Sequence, residues 1–180
     1  MKEYKFYGWE KADISPVFDE YKQVKNPRHL YDLLSEIWCA ETCAPRLRDS
    51  WTRENMTLGQ CSITAFLAQD IFGGDVYGIL REGGNYHCYN VVGDCVFDLT
   101  SEQFIKSSKP SDALTQSFGD GCGDTGIVSS DDEELSYENN PIQSREVHFA
   151  KEEKRLRYEY LKEELTKKLL LANHVRTDNL

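Results

Sequence analysis

The sequence predicts an α+β domain in which N-terminal helices pack on a small antiparallel sheet and a long helix closes the chain. Three observations carry this prediction. Apolar residues recur at helical spacing over 26–40 and again after residue 140. A largely apolar run begins at Cys61, and two β-rich runs are joined by Gly93-Asp94. With 180 residues, 39% hydrophobic and 29% charged, the chain reads as one domain, 1–180. Its core spans about 26–106, an acidic connection about 107–140, and a C-terminal helix about 141–172.

From Asn26 to Ala40, Leu30, Leu33, Leu34, Ile37 and Trp38 mark one face of a helix, with Asn26 as N-cap and Pro27 as first helical residue. Pro45, Asp49-Ser50 and Asn55 break any period, so 41–56 reads as a polar loop. Thr57-Leu58-Gly59-Gln60 has the form of a capping box opening a buried helix over Cys61 to Phe72, which Gly73-Gly74 ends. Asp75 to Leu80 reads as a strand and Glu82 to Asn85 as a turn. Tyr86 to Val92 and Cys95 to Thr100 then form a hairpin, Gly93 opening a type II′ turn.

Ser, Pro, Gly and acidic residues over 107–140 predict a mobile connection and a candidate lid. Asn140-Pro141-Ile142-Gln143 offers a second N-cap before a helix whose inner face carries Phe149, Leu156, Leu161, Leu165 and Leu169. That helix is also a candidate dimer contact, although its heptads are too few for a coiled coil.

The formal net charge of −10 opposes binding to a phosphate backbone, so no nucleic-acid partner is expected. No apolar run approaches a membrane span, and the opening residues Met1 to Glu10 lack the apolar core of a secretory signal. The expectation is a cytoplasmic protein without membrane association. Six cysteines in such a compartment do not imply disulfides. Cys39, Cys43, Cys88 and Cys95 read as core thiols and Cys122 as an exposed one. Their separation along the hairpin argues against a zinc site, and the acidic residues between Asp120 and Glu134 lack calcium-loop spacing. No metal or cofactor is expected. His29, His148 and His174 read as helix-surface residues.

Three residues are set apart by position. Cys61 begins a buried helix, where unpaired backbone N–H groups favour a thiolate. With Gly93-Asp94 as the loop, Val92 faces Cys95, Tyr89 faces Asp98 and His87 faces Thr100, so all of the last four project from one side of the ribbon. His87 and Asp98 are then diagonal neighbours whose side chains meet. In this arrangement Cys61 is a candidate nucleophile, His87 its base and acid, and Asp98 the group that orients the imidazole.

Gly59-Gln60-Cys61, His87-Cys88-Tyr89-Asn90 and Asp98-Leu99-Thr100 resemble the three motif blocks of transglutaminase-like cysteine enzymes. More closely, the stretch from Trp38 to Phe104, with Ser144-Arg145-Glu146 and Arg157-Tyr158 in the tail, resembles the YunG-like family of small bacterial proteins. The resemblance implies a papain-like or transglutaminase-like fold and a Cys61, His87, Asp98 triad. Ser62 stands where transglutaminases carry Trp, so it implies thiol chemistry rather than transglutamination as such.

The resulting expectation is a thiol hydrolase or acyltransferase that attacks an amide through a thioester on Cys61. Gln60 would help position the oxyanion, and Tyr89, Asn90 and Thr100 would orient the site. The substrate would be a small amide or a protein or peptide chain. The alternative is a non-catalytic interaction module that keeps the fold and meets a basic partner.

Overall fold

Asn26 is extended just before Pro27, and its side chain accepts the His29 backbone N–H at 3.0 Å, starting α1 (Pro27–Ser35). The computed structural model describes residues 2–105 and 135–177, without side chains beyond 172. In chain order α1 is followed by a 3-10 helix (Pro45–Ser50), α2 (Cys61–Phe72), β1 (Asp75–Leu80), β2 (Tyr86–Val92), β3 (Cys95–Phe97), α3 (Arg145–Phe149) and α4 (Glu152–Thr177). The arrangement is α+β: a three-stranded antiparallel sheet in the order β1-β2-β3, with α2 against it and α4 against α2. The expectation for 107–134, including Cys122 and the acidic cluster, falls outside the described residues.

The core is continuous through these layers. Ile63, Phe66, Leu67 and Ile71 of α2 meet Val76, Cys88 and Phe97 of the sheet, Leu30 and Leu34 of α1, and Leu161 and Leu165 of α4. Removing this apolar surface from water is what chiefly drives the chain to fold. The hairpin register is the expected one, with Val92 opposite Cys95, Val91 opposite Val96 and Asn90 opposite Phe97. Helix α2 ends at Gly73, whose φ of 73° is a conformation that a side chain disfavours.

Four sequence expectations need correction. The box at Thr57–Gln60 is not a helix start: α2 begins at Cys61, and neither Thr57 nor Gln60 caps it with a side chain. Gly59 has φ of 68°, and a Cβ there would lie 2.8 Å from Cys43 Sγ and 2.9 Å from Ala44 N, so the chain turns tightly where the box would have continued as helix.

The returning strand stops at Phe97 rather than Thr100. Asp98 leaves the ladder to bridge Tyr7, its N–H donating to Tyr7 O at 3.1 Å. Residues 141–143 extend the sheet instead of opening a helix. Ile142 bridges Tyr77, Gly78 donates to Pro141 O and Gln143 to Val76 O, and Ser144 caps α3. Tertiary hydrogen bonding to the open edge of β1 overrides the local N-cap signal. On α4, Leu156 is half exposed, and Arg157 and Tyr158 turn inward in its place.

Smaller differences follow the same packing. His148 is buried rather than superficial and His29 is half-buried. Cys43 and Cys88 are buried, whereas Cys39 and Cys95 are partly exposed. His174 lies on the α4 backbone.

Candidate active site

The N-terminus of α2 is unusually bare. Gln60, the residue before it, makes no side-chain cap, and the first helical bond is donated by Thr64 N–H to Gln60 O at 3.1 Å. The N–H groups of Cys61, Ser62 and Ile63 therefore have no acceptor within the helix. Cys61 stands at this end, partly exposed, with its sulfur 4.0 Å from Tyr86 O on β2.

The approach to Cys61 is fixed from outside the helix. Arg157 of α4 donates to Gly59 O at 2.7 Å and to Thr42 O at 2.9 Å, while Gln103 Oε1 accepts the Gly59 N–H at 3.3 Å. A buried guanidinium thus ties the terminal helix to the turn that delivers the thiol. Its position in the sequence gives no sign of this role beyond its sharing in the family resemblance.

His87 lies on β2, 2% exposed, and its Nε2–H donates to Asp98 Oδ2 at 2.5 Å. Asp98 is 1% exposed and fully engaged. Its Oδ1 accepts the Thr100 N–H at 3.0 Å and the Thr100 hydroxyl at 3.1 Å, and its Oδ2 also accepts the Tyr137 hydroxyl at 3.0 Å. A carboxylate held by four donors keeps one orientation, and so does the ring bonded to it. Phe104 closes on the imidazole edge-to-face, with centroids 4.7 Å apart.

The other ring nitrogen, Nδ1, is buried and makes no hydrogen bond of ordinary length. The Cys61 thiol and the His87 ring shift each other. Burial alone pushes the thiol up. The polar interaction with His87 and its charge, aided by the Cys88 backbone, outweigh it and bring Cys61 below the usual thiol range. Burial likewise opposes a charge on His87, but the Asp98 carboxylate first and the Cys61 sulfur second raise it to about 10. This electrostatic balance favours a thiolate beside an imidazolium.

Of the residues singled out in the sequence, Cys61, His87, Asp98 and Thr100 come together. Tyr89 stands beside them on the same face, its ring edge-on to Tyr137 at 5.0 Å and its hydroxyl donating to Tyr137 O. Gln60 and Asn90 are engaged elsewhere. Gln60 Nε2 donates to Cys39 O at 3.1 Å, and Asn90, on the opposite face of β2 from His87, ties the strand to Ala65 O of α2 at 2.8 Å.

Sequence reasoning missed Tyr137. It stacks on Tyr7 with centroids 3.7 Å apart and reaches Asp98 from a segment read as a loop. Aromatic character within a polar stretch was the one available signal.

Cys61 and His87 open on a cleft of about 620 Å³, walled by Pro45, Leu47, Leu58, Tyr86 and Phe104. Such a volume is that of an ordinary small-ligand site. Among the described residues no three His, Cys, Asp or Glu side chains are grouped to hold a metal ion. No described helix is long and apolar enough to cross a membrane.

Comparison with known proteins bears on residues 26–121, rather more than half of the chain, which match the model of the family described as YunG protein. The "Uncharacterized protein YunG" of Bacillus subtilis (strain 168) is 36% identical over 76 residues, which cover 42% of this chain and 61% of that protein. The chain thus spans less than two thirds of the relative it matches. No solved structure matches the chain. The matched region contains α1, α2, all three strands and the Cys61, His87 and Asp98 cluster, and on this match the chain belongs to the YunG family.

Proposed function

We propose that the protein is a cysteine-dependent amide hydrolase or acyltransferase of papain-like or transglutaminase-like architecture. Cys61 is the nucleophile, His87 the proton carrier and Asp98 the positioning carboxylate. The observation that carries this reading is the buried 2.5 Å contact between His87 Nε2 and Asp98 Oδ2, which leaves Nδ1 without a partner of its own in a site whose Cys61 thiol is lowered in pKa. Structural ion pairs also perturb pKa values. A nucleophile at a bare helix N-terminus within a cleft supplies the chemistry that a merely structural pair lacks.

In this mechanism the Cys61 thiolate adds to the carbonyl carbon of an amide, and the carbonyl π electrons move to oxygen. The free N–H groups at the start of α2 are the available donors for that oxyanion. The tetrahedral species collapses by breaking the C–N bond. The amine leaves with the proton supplied by His87 Nδ1, and a thioester remains on Cys61. Water or a second amine then attacks the thioester while His87 takes back a proton. The C–S bond breaks to give the acid or the new amide and restores the thiolate.

Alkylation tests the reading without a known substrate. Iodoacetamide is expected to modify Cys61 at pH 6.5 at least tenfold faster than glutathione, followed by mass spectrometry of the Cys61 peptide, because an ordinary thiol is mostly protonated there. His87→Ala is expected to remove the advantage, and p-nitrophenyl acetate to leave an acetyl group on Cys61 of the unmodified protein. A rate equal to that of glutathione and indifferent to His87→Ala would overturn the proposal in favour of a non-catalytic interaction module.

A further inference from the structure

The cleft above Cys61 carries the opposite charge to the chain that forms it. The whole sequence has 31 acidic residues against 21 lysines and arginines, yet Arg46, Arg81, Lys151, Lys154 and Arg157 converge on this one space. Among the described residues only two carboxylates share it, Glu82 and Glu153, and Glu153 is engaged by Arg157 at 3.2 Å. The cations come from separate elements: Arg46 from the 3-10 helix after α1, Arg81 from the end of β1, and the lysines from the junction of α3 and α4. Five side chains from three distant segments, in a protein with a surplus of acid, are not a local run of like residues.

The roles of these cations differ. Arg157 is buried and holds backbone carbonyls, so it belongs to the frame. Arg81 lies over the Phe104 ring, 4.9 Å from its centroid, and Lys154 reaches His148 Nδ1 at 3.2 Å. Arg46 and Lys151 are exposed, and among the described residues neither has a carboxylate partner. The field they create reaches buried groups. After burial, Lys154 and Lys151 are what hold His148 low, and Arg157, Arg48 and Arg46 oppose the burial that raises Cys43. Positive potential in a cleft with low-dielectric walls is focused rather than dispersed, and raises the local concentration of anions.

Resting on the reading of Cys61 as nucleophile, we infer that the cleft selects amides carrying a carboxylate close to the scissile bond, with Arg46 and Lys151 as the residues that receive it. Arginine offers a planar pair of donors to a carboxylate, and lysine a mobile point charge, so the two together suit an anion that enters from solvent and is then held in one orientation. Neutral amides would gain nothing from either side chain, and cationic ones would be excluded.

Two alkylating agents that differ only in charge test the inference. Iodoacetate carries a carboxylate beside the reactive carbon and iodoacetamide does not, so the ratio of their rates at Cys61 reads the cleft, whereas the iodoacetamide rate alone reads the activation of the thiol. The ratio is expected to exceed that of glutathione by about tenfold and to shrink in 0.5 M NaCl. Arg46→Glu/Lys151→Glu is expected to lower it about fivefold while leaving the iodoacetamide rate within twofold. Both positions are exposed, and an unchanged circular dichroism spectrum confirms the fold. A ratio like that of glutathione, or one that the double reversal does not move, would overturn the inference even if the thiol is activated. A slow iodoacetamide rate would instead overturn the proposed function, and the ratio would still report the charge preference of the cleft.

Discussion

Strand β2 and the short helix α3 each bury a histidine, and the two rings are driven in opposite directions. His87 is 2% exposed and His148 is 7% exposed, so loss of water is similar for both and disfavours the charged ring in each. Their neighbours decide the outcome. His87 faces the Asp98 carboxylate and is raised to about 10. His148 faces Lys154 and Lys151, accepts from Lys154 at Nδ1, meets Gln143 Oε1 through Nε2, and is lowered to about 4. Burial therefore amplifies the sign of the nearest charge rather than making a base. Of these two buried histidines, only the one with a carboxylate behind it is raised so as to hold a proton near the Cys61 thiol.

Removing that carboxylate should abolish the contrast between the rings and have the largest effect. In Asp98→Asn the amide keeps the shape but not the charge, so His87 should fall toward its ordinary range and the Cys61 thiol should rise. Alkylation by iodoacetamide at pH 6.5 is expected to drop at least tenfold, and turnover of any amide substrate by about a thousandfold or more, judging from the same change in other triads. The pH profile supplies a second readout. In the unmodified protein, turnover should rise as Cys61 ionises, below the usual thiol range, and fall near pH 10 as His87 loses the proton it gives to the leaving amine. In Asp98→Asn the alkaline limb should move to lower pH. An unchanged profile would remove Asp98 from the mechanism.

Tyr137→Phe probes the His87 side of the contrast more gently. It removes one of the two donors to Asp98 Oδ2 and leaves the ring that stacks on Tyr7 and meets Tyr89. The expected loss of stability in urea unfolding is about 1.5 kcal/mol, the lower end of the range for a hydrogen bond to a charged acceptor. As a positioning residue acting through Asp98, Tyr137 should also change the pH profile of Cys61 alkylation. A change in stability with an unmoved profile would confine it to a structural role.

The smallest effect on the site is expected at His148. His148→Gln retains a polar amide beside Gln143 and Lys154 and cannot titrate. Cys61 alkylation should stay within twofold of the unmodified rate. The stability profile should nevertheless change in sign-specific fashion. The folded pKa of His148 lies below its unfolded value of about 6.5, so the unfolded chain binds more protons between about 6.5 and 4. The contribution of His148 is complete above that window and is lost as pH falls through it. The variant should lack that part of the acid destabilisation, measured by urea unfolding at pH 7 and pH 4.5.

Much of the site could be read before the fold was known because it rests on local rules. Two residues between two β-rich runs set the hairpin register, which aims the returning strand so that Asp98 meets His87 even though Asp98 itself has left the ladder for Tyr7. Thr100 lies two residues beyond Asp98, within reach of the same carboxylate. The failures have an equally definite origin. The Thr57–Gln60 box and the Asn140–Gln143 cap are strong local signals, but the first segment is turned by contact with Cys43 and Ala44 and the second is captured by the edge of β1. Asn90 follows the motif in sequence, yet strand alternation turns it away from His87 toward α2.

Local patterning along the chain was enough to specify the α+β class, the elements that hold Cys61 and His87, and the meeting of His87 with Asp98. Helical period, strand alternation and a two-residue turn all act over a few neighbouring residues. Packing between distant segments decided the rest. It brought Tyr137 to Asp98 across 39 positions and Arg157 to Gly59 across 98. It also gathered cations from separate elements around the thiol of an acidic chain. Charge and hydrogen bonding depend on distance in space, which the order of residues along the chain does not specify.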